Sequence, residues 1–239
     1  SIFLGREVAN SGAHSSAVAI GCYALLGASG TTNNIVAIGN NALAQSSGCS
    51  RCIGIGYRAL RVGSSGAAGS IAIGYGALEI TTTGSQNVAI GYQALNANTT
   101  NGSNTVVGYQ AMLLGDPSGG YNTAVGALAL RNCTSTYNTA VGAGALYANS
   151  AGQHNVGVGA NTHSSYNYSY CTAVGSHAMQ SNQAPYATAV GFEAAKVNRG
   201  WGMTAIGYQA LTACNSVSIG STAVGYLALS ATTWPGNTA

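Results

Sequence analysis

The residues that could do chemistry are few: six cysteines, four histidines and four carboxylates in 239 residues. Cys49-Ser50-Arg51-Cys52 is a lone C-x-x-C. A structural zinc site needs a second such pair or nearby histidines, and a thioredoxin-type redox site needs a βαβ frame around it. Neither surrounds this motif, and Cys133 and Cys214 share a repeat position five units apart. Mostly free, buried thiols are therefore expected, with one loop bridge as the alternative. The carboxylates are Glu7, Glu79, Asp116 and Glu193. Glycan cleavage uses two carboxylates roughly 5 to 9.5 Å apart; Glu79 and Asp116 fall two repeat units apart and at different repeat positions. His14, His154, His163 and His177 share no face, and nothing in the spacing suggests a Ser-His-Asp arrangement. No enzyme, metal site or cofactor is expected.

Recognition is a better use of the polar residues than catalysis. Thr162-His163 is followed by Ser164-Ser165-Tyr166-Asn167-Tyr168-Ser169-Tyr170. If this segment is extended, Tyr166, Tyr168 and Tyr170 present three rings on one side. Tyrosine with serine and asparagine gives rigid contact area and adaptable hydrogen bonding, as in antibody loops. Arg199 and Trp201 occupy the corresponding loop two units on. These five residues are the candidate glycan or receptor contacts; the plainer reading is a decorated loop that packs on its neighbours.

The elements that position these residues follow from composition and periodicity. Only 5% of residues are charged, against roughly 25% in soluble domains, while 46% are hydrophobic and 35 are glycine. Small residues dominate, which suits thin stacked layers over a bulky core. A net charge of +3 with scattered basic residues is no nucleic-acid footprint. No apolar run approaches the roughly 18 residues of a membrane span, so neither nucleic acid nor membrane insertion is expected. No methionine opens the chain and no secretory signal is visible, so a processed or excised part of a longer protein is expected.

One unit recurs throughout: apolar or Thr, Ala, Ile or Val, Gly, two variable residues, Ala, Leu. Val88-Ala89-Ile90-Gly91-Tyr92-Gln93-Ala94-Leu95 is the clearest copy, and Thr204-Ala205-Ile206-Gly207-Tyr208-Gln209-Ala210-Leu211 a late one. The anchor glycines run from Gly5 to Gly225 with a mean spacing of about 17 residues. Length varies only between the Leu and the next strand, as in Thr81-Thr82-Thr83-Gly84-Ser85, which marks a surface loop. Seventeen residues are too few for a helical hairpin but suit one coil of a β-solenoid. The expected fold is all-β: a parallel β-solenoid or β-roll of about 14 coils forming a single domain over residues 1–239.

The strand also bears on assembly. Residues 88 and 90 point one way and Ala89 the other, and both sides are apolar in nearly every copy. A strand buried on both faces does not alternate with polar residues. The larger Val and Ile side chains are expected to fill the coil, which leaves the alanine face to be covered by further copies of the chain, most simply in a homotrimer. A monomer with an alanine-rich outer wall is the alternative. The position three before the glycine holds Val or Ile early and Thr later (Thr105, Thr123, Thr139, Thr172, Thr188, Thr204, Thr222), and it too is expected inside. Two side-chain columns complete the pattern. Asn87, Asn104, Asn122, Asn138 and Asn155 lie four before successive glycines, and Tyr57, Tyr75, Tyr92 and Tyr109 directly follow four others. In register these would form ladders that stabilise the stack; a binding stripe is the alternative.

Copies such as Tyr121-Asn122-Thr123-Ala124-Val125-Gly126 and Gly91-Tyr92-Gln93-Ala94-Leu95 resemble the repeats of phage and large-virus tail fibres. They are also similar to the head domains of trimeric autotransporter adhesins, which are β-rolls. The likeness covers Ile2 to Leu229. It implies a trimeric, extracellular fibre segment on a virion surface that works with further fibre or virion proteins and presents loops to a host surface glycan or protein receptor. A bacterial adhesin head on a cell surface is one alternative. An ice-binding solenoid is another, suggested by low charge and the threonine row.

Overall fold

The computed structural model describes residues 1–9, 13–27, 31–63, 67–114, 119–164, 167–214 and 219–230; the side chains of Thr31, Asn198 and Cys214 are outside that description, as are Asp116 and Tyr166. The protein is all-β and divides into two compact units, Ser1–Ala124 and Val125–Ala239. The first contains β1 (Ile2–Leu4), β2 (Ala13–Ile20), β3 (Thr31–Ile38), β4 (Ile53–Ile55), β5 (Ile71–Ile73), β6 (Val88–Ile90) and β7 (Thr105–Val107), with β8 (Thr123–Val125) at the division. The second contains β9 (Thr139–Val141), β10 (Val156–Val158), β11 (Thr172–Val174), β12 (Thr188–Val190), β13 (Val197–Asn198), β14 (Thr204–Ile206), β15 (Ala213–Cys214) and β16 (Thr222–Val224).

Within each unit the strands pair parallel, each with the equivalent strand of the next coil. Ile71, Val88 and Thr105 are Cα partners in the first unit. Thr139, Val156, Thr172, Thr188, Thr204 and Thr222 are partners in the second. One strand register thus repeats with the period of about 17 residues, which is a β-solenoid. The corners stack as well as the strands. Gln93 N–H donates to Tyr75 O at 2.8 Å, Leu95 N–H to Ala111 O at 3.0 Å, and Gly91 N–H to Ile73 O at 2.8 Å. Main-chain bonds therefore tie coil to coil around the turn, and they offset the cost of holding Gln93 and Leu95 at φ 51°.

The anchor glycine has two reasons to be glycine. At Gly91 φ is 134°, and a Cβ there would lie 2.3 Å from the carbonyl oxygen of Gly108 in the next coil. Side chains with a Cβ are excluded both by the backbone angle and by the closeness of stacked coils.

The expected facing of the strand is reversed. Ala19, Ala37, Ala72, Ala89, Ala140, Ala173, Ala189, Ala205 and Ala223, two before the glycine, are fully buried. The aliphatic residues just before the glycine point outward instead: Ile90 and Val141 are each 37% exposed and Val224 57%. The threonine row is outward too, half-buried or exposed. The reason is the leucine four residues after the glycine. Leu25, Leu43, Leu60, Leu78 and Leu95, and later Leu130, Leu146 and Leu211, are wholly buried and already fill the coil. At Gly54, a strand glycine in the alanine position, an added Cβ would meet Leu43 Cδ1 at 3.0 Å. Across so thin a coil the strand residue opposite Leu is kept small, Ala or Gly in every described coil from Ala19 onward except Val106.

Candidate functional site

The outward strand face is a regular surface in each unit, and its chemistry follows from the two rows it carries. In the first unit both rows are aliphatic through six strands: Ile2 and Leu4, Val18 and Ile20, Val36 and Ile38, Ile53 and Ile55, Ile71 and Ile73, Val88 and Ile90. In the second unit threonine is paired with Val or Ile in every strand of the row but β10, which carries Val156 and Val158: Thr139 and Val141, Thr172 and Val174, Thr188 and Val190, Thr204 and Ile206, Thr222 and Val224.

Aromatic columns border these faces. Tyr57, Tyr75, Tyr92 and Tyr109 stack with ring centroids 5.0, 5.2 and 5.3 Å apart and planes within 19°. Arg58 adds a cation–π contact, its guanidinium carbon 5.0 Å from the Tyr57 centroid. In the second unit a column forms five residues before the glycine: Tyr137, His154, Tyr170 and Tyr186, at 4.9, 5.2 and 5.3 Å. The position after the glycine resumes with Phe192, Tyr208 and Tyr226, at 5.5 and 5.4 Å. Within each column the ring faces cover one another. Edges and phenol oxygens meet solvent, so stacking a sugar on a ring face is confined to the column ends.

The asparagines lie inside the coils. Asn104 N–H donates to Asn87 Oδ1 at 3.0 Å and Asn122 N–H to Asn104 Oδ1 at 2.9 Å. In the second unit Asn155 N–H donates to Asn138 Oδ1 at 3.0 Å, and Cys171 N–H to Asn155 Oδ1 at 2.9 Å. Each amide oxygen therefore takes a main-chain N–H of the next coil. The amide nitrogens of Asn87 and Asn155 turn to loop carbonyls, donating to Asn101 O at 2.8 Å and Tyr168 O at 2.7 Å, while Asn104 Nδ2 donates to Asn87 Oδ1 at 3.2 Å. Buried and fully engaged, this column pins the loop to the coil and offers nothing to a ligand.

The proposed contact residues divide. Tyr166 lies outside the described residues. Tyr168 packs against the buried cluster around Cys171, Met179 and Met203, whereas Tyr170 is exposed and stacked in the outer column. The two do not share a side, because Tyr170 has φ 61° and period-two alternation fails across a left-handed residue. Arg199 is exposed, and Trp201, 53% exposed, forms a parallel bridge with Ile219.

Titratable groups are largely engaged or buried. Glu7 pairs with Arg6, Glu79 with Arg58 and Arg61, and Glu193 with Lys196. Hydrogen bonds from Lys196 and Gln209 hold the Glu193 carboxyl below its ordinary range. Cys49 and Cys52 form a disulfide, so the C-x-x-C motif is a loop bridge and not a pair of free thiols. Cys133 and Cys171 are free and buried, and burial pushes both thiols up; Cys22 is free and exposed. His163 stands in the leucine position, fully buried, with neither ring nitrogen hydrogen-bonded. Burial lowers its pKa to about 4.

No family model and no curated protein matches the chain.

Proposed function

We propose that the chain is a structural segment of an extracellular fibre, assembled as a homotrimer and presenting loops for attachment to a host surface. The observation that carries this reading is the outward face of the first unit, two aliphatic rows that run through β1 to β6 of a parallel sheet. An exposed strip of that kind costs solubility in a free chain and is stabilising once covered. Copies of the same chain offer the matching surface, because each of β1 to β6 presents the same two aliphatic rows in the same order. The Gly-Tyr-Gln-Ala-Leu form of the repeat favours a virion fibre over a bacterial adhesin head. Light scattering after size exclusion tests the assembly. The expected mass is three times that of the chain, and Ile73→Asp, at the middle of the strip, is expected to return it to one. A monomeric native chain overturns the trimer.

One observation favours ice binding as a second reading: the threonine row of the second unit is outward. Threonine and valine in register along strands stacked about 4.8 Å apart form a regular array of hydroxyls and methyls that could order water. Inhibition of ice recrystallisation by a monomeric chain, lost in Thr188→Tyr, supports it. A trimer without such activity sinks it.

A further inference from the structure

We infer that the cleft at Gly69 in the first unit is a binding site for an acidic saccharide, with Arg51 as the carboxylate-recognising residue. Five residues before the anchor glycine, the chain turns through the left-handed region: Asn34, Arg51, Gly69 and Gln86 have φ 57°, 59°, 73° and 58°. All but Gly69 project a side chain. The missing one opens a cleft of about 360 Å³ lined by Arg51, Ala68, Gly69, Ser85 and Gln86. That volume lies in the range of small-molecule sites and exceeds what a simple inorganic anion needs.

The lining is suited to a carboxylate carried by a hydroxyl-rich ring. Among the described residues Arg51 pairs with no carboxylate, since Glu79 is taken by Arg58 and Arg61. An unpaired guanidinium is a planar donor fork that holds a carboxylate through two hydrogen bonds. Ser85 and Gln86 add a hydroxyl and an amide that can exchange hydrogen bonds with sugar hydroxyls.

Arg51 is also held in place. It sits between Cys49 and Cys52, whose disulfide is wholly buried. Its N–H donates to Asn33 O at 2.8 Å, and Gly69 N–H donates to Ser50 O at 3.0 Å. The backbone bearing the guanidinium is thus clamped from both neighbouring coils, which reduces the ordering cost of binding.

The choice of a saccharide rests on the reading of the protein as a host-attachment fibre, but the cleft belongs to a single chain. Assembly and binding can therefore fail independently: a trimer that binds no acidic sugar overturns only this inference, and a monomer that binds one overturns only the trimer. The test is titration of the full, oxidised chain with 3′-sialyllactose and with trigalacturonate, read by calorimetry, beside neutral lactose, inorganic phosphate and a Glu-rich peptide. Saturable binding of an acidic sugar is expected, weakened about tenfold or more by Arg51→Met and unchanged by Arg131→Met, which lies in the second unit beside Tyr147. Gly69→Asn fills the cleft while leaving the charge. Its Cβ meets only Gln86 Cγ, at 3.7 Å, and Asn34 already adopts this backbone, so the variant should fold and lose binding. Failure of both acidic sugars to bind overturns the site. So does equal binding by Arg51→Met, or binding of lactose, phosphate or peptide as tightly as the acidic sugar.

Discussion

The two units wind the same coil and dress it differently. In Ser1–Ala124 the outward rows are aliphatic through β6, with threonine entering at Thr105, the tyrosine column follows the glycine, and the interior leucine position is held by Leu through five successive coils before Met112. In Val125–Ala239 the outward row three before the glycine is mostly threonine, the aromatic column moves to the other end of the strand for four coils, and the leucine position accepts His163, Met179 and Ala195. What stays constant is what the coil cannot do without: the anchor glycine, the small inward strand residue and the stacked corners. What varies is the leucine rung of the interior and, more freely, what faces solvent or a partner. The coil geometry is a scaffold constraint, and the outward rows are free to be set by function.

Breaking the constant part should have the largest effect. Gly91→Ala places a Cβ at 2.3 Å from Gly108 O at φ 134°, whereas the same atom at Gly225 would meet nothing nearer than Ala228 Cβ at 3.9 Å. The first substitution carries both the angular cost and a backbone collision, and the second only the angular cost. We expect Gly91→Ala to lose at least about 3 kcal/mol and Gly225→Ala about 1–2 kcal/mol, measured as shifts in denaturant midpoint by circular dichroism. Equal losses would mean that coil stacking does not exclude the Cβ.

The second unit alone carries a buried, unpartnered histidine, and this gives it a pH dependence of its own. Folded His163 takes a proton only near pH 4, while the unfolded chain takes one near the ordinary 6.5. Above pH 6.5 both states are neutral, so the group adds no pH dependence. As pH falls from 6.5 towards 4 the unfolded state binds the proton first and stability drops, by about 3 kcal/mol over that window. His163→Leu restores the regular rung. It is expected to add about 1–3 kcal/mol at pH 7, by removing two unsatisfied nitrogens, and to flatten the acid limb. Hydrogen exchange at pH 7 and 4.5 should show the protection loss centred on the second unit. An unchanged acid limb in His163→Leu would remove the histidine from the explanation.

How much of this is legible in the sequence depends on whether the property is periodic or spatial. The repeat length, the glycine anchors and the parallel stack follow from spacing alone, because equivalent residues recur in register. Which strand face is inward does not, since alternation defines two faces without ranking them. Val88 and Ile90 are bulkier than Ala89 and read as core until Leu95 is seen to occupy the same interior. The second aromatic column was present in the register, five before the glycine at Tyr137, His154, Tyr170 and Tyr186. The adjacent tyrosine-rich loop reads as an extended run presenting Tyr166, Tyr168 and Tyr170 on one side, and a left-handed residue at Tyr170 separates Tyr168 from Tyr170. His163 was visible as a histidine in a leucine column. The disulfide was not, because a lone C-x-x-C is equally compatible with two thiols.

The outward rows can be exchanged to sharpen the contrast. Ile53→Thr with Ile71→Thr gives the first unit the pattern of the second, with little change expected inside the coil. If the aliphatic strip is the assembly surface, each substitution should weaken association by about 1 kcal/mol. That is roughly a fivefold change in dissociation constant per site, read by concentration-dependent light scattering. Thr188→Val with Thr204→Val should leave association unchanged or tighten it. If both pairs act alike, the two faces are not functionally distinct.

The smallest effect is expected from the columns themselves. Tyr92 and Tyr170 each stack on a ring to either side, at 5.2 and 5.3 Å in both cases, so removing one ring breaks two pairs in either unit. Because both rings are substantially exposed, the loss is mainly stacking and not burial. Tyr92→Ala and Tyr170→Ala should each cost about 1 kcal/mol, and Tyr→Phe close to nothing, since the faces carry the contact and the phenol oxygens do not. Equal costs would show that the aromatic column can sit at either end of the strand without altering how tightly coils stack. A larger cost at Tyr170 would mean that the second unit, with its softer interior rungs, relies on its outer column to hold the coils in register.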